Sequence, residues 1–360
     1  MDNCLPSLHW ILDPVAVRHL LQKLQLQENV IDFVCNAAQQ LAQSEDIPAF
    51  LEFCTSWQQR LNDPQTNALP SGWKALAVIA SYPEAIKKYQ QRGVPWEIIR
   101  ATLADFQRDA RGDYLTGTSW NFDRLSWMNN HVNARIFELG RLQYAPGTFS
   151  YPYRIYRDAE SNAPVAFALP NLHCTTDGWI EDDATGFITQ LQAQPDGIYG
   201  NAASPLNGSI VASTQRISPQ SPLLIDRATS VLHVHIPSGQ KLDLQECIAS
   251  LKTAIDFFAR YFPESQIKGL CISTWLLDPE LKKVLSDDSN IVQFAHLFHP
   301  LARQNANDTQ LLERVFGKDA TWDNCIAQTS LQKAVLQHHR NGGVFRIGAG
   351  YILPEKIIRL

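Results

Sequence analysis

Apolar residues recur at three- and four-residue spacing over 15–24, 30–41 and 50–61, and the stretches between them, 25–28 and 44–48, are polar or carry proline. That period marks helices that turn one face inward. The same spacing continues over 73–91 and 94–106, divided at Gly93 and Pro95. Pro95 falls at a helix start, where its missing N–H is no loss. The first third of the chain therefore predicts a helical bundle. It shows no cluster of catalytic residue types, so scaffold or substrate gate is its expected role.

From about residue 135 the period shortens to two. Runs at 135–144, 151–157 and 164–169, with turns at 145–147 and 158–162, predict an antiparallel meander. The stretch 185–221, rich in Gly, Asn, Pro and Ser, predicts short strands at 186–192 and 209–214. Beyond it the pattern reads strand at 230–236, helix at 243–262 and strand at 269–275. Helical runs follow at 279–285, 290–301, 310–316 and 328–339, with a last strand at 343–352. A strand–helix–strand unit of this length implies a right-handed crossover between parallel strands. The expected class is α/β in the broad α+β sense: a helical domain at 1–112, then a mixed sheet flanked by helices at 113–360.

Composition narrows the function. With 360 residues, 45% of them hydrophobic and 19% charged, the chain has core enough for two domains. A net charge of −5 and no run of Lys and Arg argue against nucleic acid as a partner. The seven cysteines are scattered, with no C-x-x-C pair, and read as reduced thiols rather than a disulfide framework or zinc ribbon. Residues 1–10 lack the basic-then-apolar order of a signal peptide. No apolar run reaches the roughly 18 residues that span a bilayer. A soluble, cytoplasmic protein without a membrane span is expected.

The chemistry concentrates in 231–243. Alternation puts Leu232, Val234 and Ile236 on one face of a strand and Val231, His233 and His235 on the other. The first face reads as core. The second brings two imidazoles toward the strand's C-terminal end, where crossover folds bind their ligands. Pro237 ends the pairing, Gly239 permits a tight turn, and Asp243 with Glu246 has the spacing of a capping box. Leu244, Ile248, Leu251, Ile255, Phe258 and Phe262 then form one helical stripe. A turn delivered into a helix N-terminus is a natural seat for phosphate. The same two histidines also fit backbone-satisfied residues of a half-buried sheet. They fit two ligands of a zinc site as well, its third drawn from His173, His296 or His299.

The strand, the turn from His235 through Gly239, the helix after it and the run Leu270 to Pro279 together resemble the GNAT-like C-terminal domain family. Glu138 to Tyr144 resembles the strand motif of the N-terminal region that accompanies that domain, and Ser289 to Phe294 also fits. The resemblance covers residues 94–301. It implies transfer of an acyl group from a thioester to an acceptor amine, without a metal. The donor is acyl-CoA, or an acyl carrier protein, because only Gly239 stands where the wider superfamily's phosphate loop carries two glycines. Peptide Lys or ornithine side chains, as in natural-product lipidation, are among the acceptors implied.

Carried over, the donor track is His235, Ile236, Pro237, Ser238, Gly239, Gln240 and Lys241, opposed by Ile272 to Trp275, with Thr274 and Trp275 against the donor. Histidine has a suitable unperturbed pKa for the base, so His235 comes first, with His233 and Glu138 behind it. No tyrosine occurs in 290–301 to protonate a leaving thiolate; Phe294 and Phe298 hold the aromatic positions. Beside these readings stand plainer ones: Glu138 paired with an arginine such as Arg154, Trp275 as core, and Asn290 as a helix cap. The functional alternatives are a catalytically silent thioester-binding module and a metal-dependent hydrolase on His233 and His235.

Overall fold

The computed structural model describes residues 6–112 and 120–360. Two units emerge from it: Met1–Leu139 with Gln143–Ala145 and Ile236–Gln240, and Gly140–Leu142 with Pro146–His235 and Lys241–Leu360. Helices dominate the first and mixed sheet with helices the second, which is the fold class the spacing predicts.

In the first unit the helices Pro14–Lys23, Glu28–Ala42, Ile47–Ser56 and Trp96–Leu103 follow the apolar stripes. The run expected to be one helix over 73–91 is two, Ser71–Ala80 and Tyr82–Gln91. Pro83 is the cause. It lacks the N–H, and its ring collides with a carbonyl one turn back, so the first helix stops before it. Ser81 lies at the break, accepting from Trp57 Nε1 at 3.2 Å and donating to the Ala77 carbonyl at 3.0 Å. Two wholly buried tyrosines tie helices to following backbone. Tyr82 donates to Leu103, and Tyr89 is within reach of the His131 and Ile136 carbonyls. A further helix, Leu125–Val132, had no expectation.

The second unit has two sheets. One runs His299–Leu301, Gly348–Ile352, Leu270–Thr274 and Ser230–His235, followed by the strand Leu142–Thr148, whose Pro146–Thr148 belongs to this unit. Ser230–His235 and Leu270–Thr274 are parallel and joined through the helix Leu244–Tyr261, the crossover expected from sequence. The second sheet is antiparallel, ordered Ile210–Ile217, Gly197–Ala203, Pro164–Ala168, Tyr153–Arg157 and Leu223–Ile225. Phe149, Tyr153, Ile155 and Ala168 pack with Val231, Cys271, Ala349 and Tyr351 in one buried cluster.

Four expectations change here. The strand expected over 135–144 is broken at Gly140, which takes φ +76°, into Phe137–Leu139 and Leu142–Thr148. The turn expected at 145–147 is therefore strand, and the meander is divided between two sheets. The helix expected over 290–301 ends at Ala295, and His299–Leu301 is a strand antiparallel to Gly348–Ile352. Val231 is wholly buried, so at that position the face expected to be open is core as well.

Candidate functional site

The strand Ser230–His235 (the histidine strand) starts a regular ladder with Leu270–Thr274 (the cysteine strand). Lys268 N–H donates to Ser230 and Leu232 N–H to Gly269, each at 3.0 Å. Cα partners follow at Leu232↔Leu270 and His233↔Cys271, where the shared register ends. On its other side the cysteine strand keeps pairing to Thr274↔Gly348. The two parallel strands thus part after His233, and His235, half-buried, lies beyond the last rung.

His233 has a partner at each ring nitrogen. Nε2 lies 3.0 Å from the Thr148 carbonyl and Nδ1 3.4 Å from Cys271 Sγ. The reading of a histidine satisfied by backbone carbonyls thus holds at Nε2, whereas the partner at Nδ1 is a side chain. Ser273, two residues past Cys271 and on the same face, accepts from Arg303 Nη1 at 3.2 Å and lies within hydrogen-bond reach of Tyr151. Burial raises the Tyr151 phenol. Sequence reasoning missed this hydroxyl because Tyr151 lies far from Ser273 along the chain.

Of the expected donor track, Pro237 is buried, Ile236 half-buried, and Ser238, Gly239, Gln240 and Lys241 exposed. Gly239 takes φ +96° with nothing near its Cβ position, so backbone conformation rather than crowding asks for glycine. Asp243 caps Leu244–Tyr261, accepting from Glu246 N–H at 3.0 Å. This places a carboxylate at the helix start that sequence offered to phosphate. A cation not anticipated stands nearby: buried Arg141 donates through Nε to the Lys241 carbonyl at 2.9 Å. Thr274 is buried and caps the turn Trp275–Leu277, accepting from Leu276 N–H at 3.3 Å. Trp275 packs against Leu281, Leu311, Val335 and Phe345, and its N–H donates to Gln310 Oε1. Ser289, not Asn290, caps Asn290–Ala295.

Glu138 belongs to the first unit, and its partner is Arg108 rather than Arg154. Arg108 Nη1 and Nη2 reach the two carboxylate oxygens at 2.6 and 2.9 Å, and Gln143 Nε2 adds a third donor at 2.9 Å. The network continues: Arg108 to Asp105 at 2.5 Å, Asp105 to Trp127 Nε1 at 2.8 Å and to His131 Nε2 at 3.1 Å. Burial alone would raise Asp105, but His131 and Arg108 outweigh it and hold the carboxyl well below its usual range. Burial likewise disfavours charge on Arg108, and the two carboxylates overcome it and raise the guanidinium. Of this network only Asp105 and Arg108 lie within 1–112, the stretch read from sequence as the helical domain; Trp127, His131, Glu138 and Gln143 come after it.

Among the described residues no three of His, Cys, Asp and Glu converge to hold a metal. His173 is exposed, and His299 stacks on Tyr351, where burial lowers it to about 4. Nor is any helix among those residues long and apolar enough to cross a membrane.

A family model described as the GNAT-like C-terminal domain matches residues 136–352, and one described as the N-acyltransferase N-terminal domain matches 16–134. Similar solved structures include an acyltransferase in complex with decanoyl-CoA and teicoplanin (20% identity, TM-score 0.61, covering 94% of this chain and 87% of that one). Another is a mutant acyltransferase in complex with octanoyl-CoA (19% identity, TM-score 0.61, covering 94% and 88%). No curated protein matches the chain. At these identities the structural likeness speaks to fold.

Proposed function

The chain belongs to the GNAT-like acyltransferase family, and on that premise we propose that it moves an acyl group from acyl-CoA to an amine. The observation that carries the donor side is the parting of two parallel strands after His233↔Cys271. A strand end of this kind, leading through a turn into a helix, is where open parallel sheets take their ligands. In this reading the pantetheine arm lies along His235 to Lys241. The pyrophosphate lies toward the start of Leu244–Tyr261, where Lys241 and Arg141 supply positive charge near Asp243.

Aminolysis of a thioester forms a C–N bond and breaks a C–S bond, and the attacking amine must lose a proton. His235 takes that proton, directly or through water. The developing oxyanion is met by backbone N–H groups where the strands part. In this reading the Tyr151 hydroxyl, beside Ser273, returns a proton to the departing sulfur. His233 and Glu138 are occupied in the contacts described above and take supporting roles.

For the acceptor, an amine on a peptide is preferred, in the setting of natural-product modification and in the cytoplasm. Its support is that one similar solved acyltransferase holds decanoyl-CoA together with teicoplanin, and another holds CoA with 10C-teicoplanin. The test is thiol release from acyl-CoAs of graded length, with and without amine acceptors. Acyl-CoA hydrolysis or transfer above background is expected, with turnover reduced by His235→Ala at unchanged melting temperature. Binding of acyl-CoA with no thiol release under any acceptor would leave a silent binding module instead.

A further inference from the structure

Three strands meet on a single imidazole at the rung where the histidine and cysteine strands part. A carbonyl oxygen can only accept, so Nε2 of His233, 3.0 Å from the Thr148 oxygen, is the nitrogen that carries the proton. Nδ1 then presents a lone pair to Cys271 Sγ at 3.4 Å. Burial pushes the Cys271 thiol up to about 12, so its S–H is present to donate. Position 147 fits the same arrangement. A Cβ built there would come within 3.0 Å of both Cδ2 and Nε2 of His233, tighter than side chains tolerate without something moving, so glycine lets the ring lie across the strand.

We propose that Cys271, His233 and the Thr148 carbonyl form a positioning latch. It fixes where the two parallel strands diverge, and so where the thioester carbon is seated. His233 on this account acts through the strands it joins and takes no proton from the acceptor. The inference rests on the acyl-transfer reading for what is seated, but the latch itself is a statement about one ring, its tautomer and its two partners. It explains the rung's position: hydrogen bonds from both neighbouring strands converge on the last residue pair of the shared register. It also predicts a dependence on donor chain length, because a shifted divergence point changes the space beside the thioester.

The test uses the full chain labelled with ¹⁵N-histidine, with His233→Gln assigning the resonance. Long-range ¹H–¹⁵N spectra are expected to show His233 as the Nε2–H tautomer, kept in Cys271→Ser and lost to tautomer exchange in Cys271→Val. With acyl-CoA donors, Cys271→Val should lower kcat about fivefold, the worth of one net hydrogen bond, and shift the preferred chain length. Cys271→Ser should restore both. An Nδ1–H tautomer in the unaltered protein overturns the latch, as does a Val variant with undisturbed kcat and chain-length profile. If the Val variant fails to fold, the tautomer of the unaltered protein and the Ser variant still decide. Failure of the unaltered protein to release thiol from any donor sinks the acyl-transfer reading and the seating role with it. The tautomer spectrum then decides the latch by itself, since it needs no substrate.

Discussion

Replacing Glu138 with glutamine tests whether this carboxylate is chemistry or structure, because the two roles predict opposite pairs of outcomes. Oε2 receives Arg108 Nη1 and Gln143 Nε2, and Oε1 receives Arg108 Nη2. A glutamine whose carbonyl takes the place of Oε2 keeps two donors and turns its NH₂ toward Nη2, which loses its acceptor. One charge-assisted hydrogen bond goes, worth about 1.5–3 kcal/mol. Arg108 is not stranded, since Asp105 still faces Nη1 at 2.5 Å, so the full cost of breaking a buried pair is not reached. About 2–3 kcal/mol is expected for Glu138→Gln. Arg108→Leu leaves both carboxylates without their guanidinium and should cost about 3–5 kcal/mol. The assay is urea unfolding followed by tryptophan fluorescence, for which Trp127 is placed on Asp105 as a local reporter. Turnover is measured on the folded fraction of the same samples. An unchanged urea midpoint with a hundredfold loss of kcat would show Glu138 acting on the reacting proton and refute the structural assignment.

Asp243→Ala should cost about 1 kcal/mol through loss of the Glu246 N–H cap. It should also lower KM for acyl-CoA by removing a carboxylate from the helix start, and a raised KM would contradict the phosphate placement. Arg141→Gln withdraws the guanidinium that holds the Lys241 carbonyl. Its expected effect is a higher KM for acyl-CoA at nearly constant kcat, and equal binding by calorimetry would count against it. Burial pushes the Asp278 carboxyl up to about 7, against the Glu280 and Arg346 N–H donors. The folded state then binds a proton that the unfolded chain has lost, so this residue's contribution weakens as pH rises from about 4 to 7. Asp278→Asn should flatten that part of a melting-temperature profile, and a slope unchanged by the substitution would rule the assignment out. Asp105 has the opposite sign: its depressed carboxyl contributes above about pH 4, and the contribution is lost as the solution turns more acid.

Local rules located what depends on local spacing. The stripe from Leu244 to Phe262 and the cap at Asp243 follow from helical period and short-range hydrogen bonding, and both are present. The crossover followed from the length between two strands. Partner choice did not follow, because a period of two says which face a residue takes and not which sheet its strand joins. Hence the runs at 151–157 and 164–169 appeared continuous with 135–144, although they pair in a different sheet. Nor could spacing reveal that Asp105, Arg108, His131 and Glu138 form one network. Asp105 and Arg108 stand three residues apart on one turn, but His131 and Glu138 come from other elements, and no short motif links them to that pair. Ser289 and Asn290 are both good caps, and only the dihedral angles at the helix start distinguish them.

His233 and His235 are equivalent by alternation alone, and the ladder is what separates them. A residue at a shared rung has neighbours on both sides that constrain its backbone, and its side chain is drawn into the contacts that hold those strands in register. A residue past the last rung lies where the polypeptide leaves its parallel neighbour. Binding at the ends of parallel strands is a consequence of that geometry. On the proposed acyl-transfer reading, rung position more than residue type gives His233 the strand-holding part and His235 the part beside the donor. The proposed latch gives Cys271 and Gly147 their part through the His233 ring that both adjoin, although neither would be chosen for its chemistry.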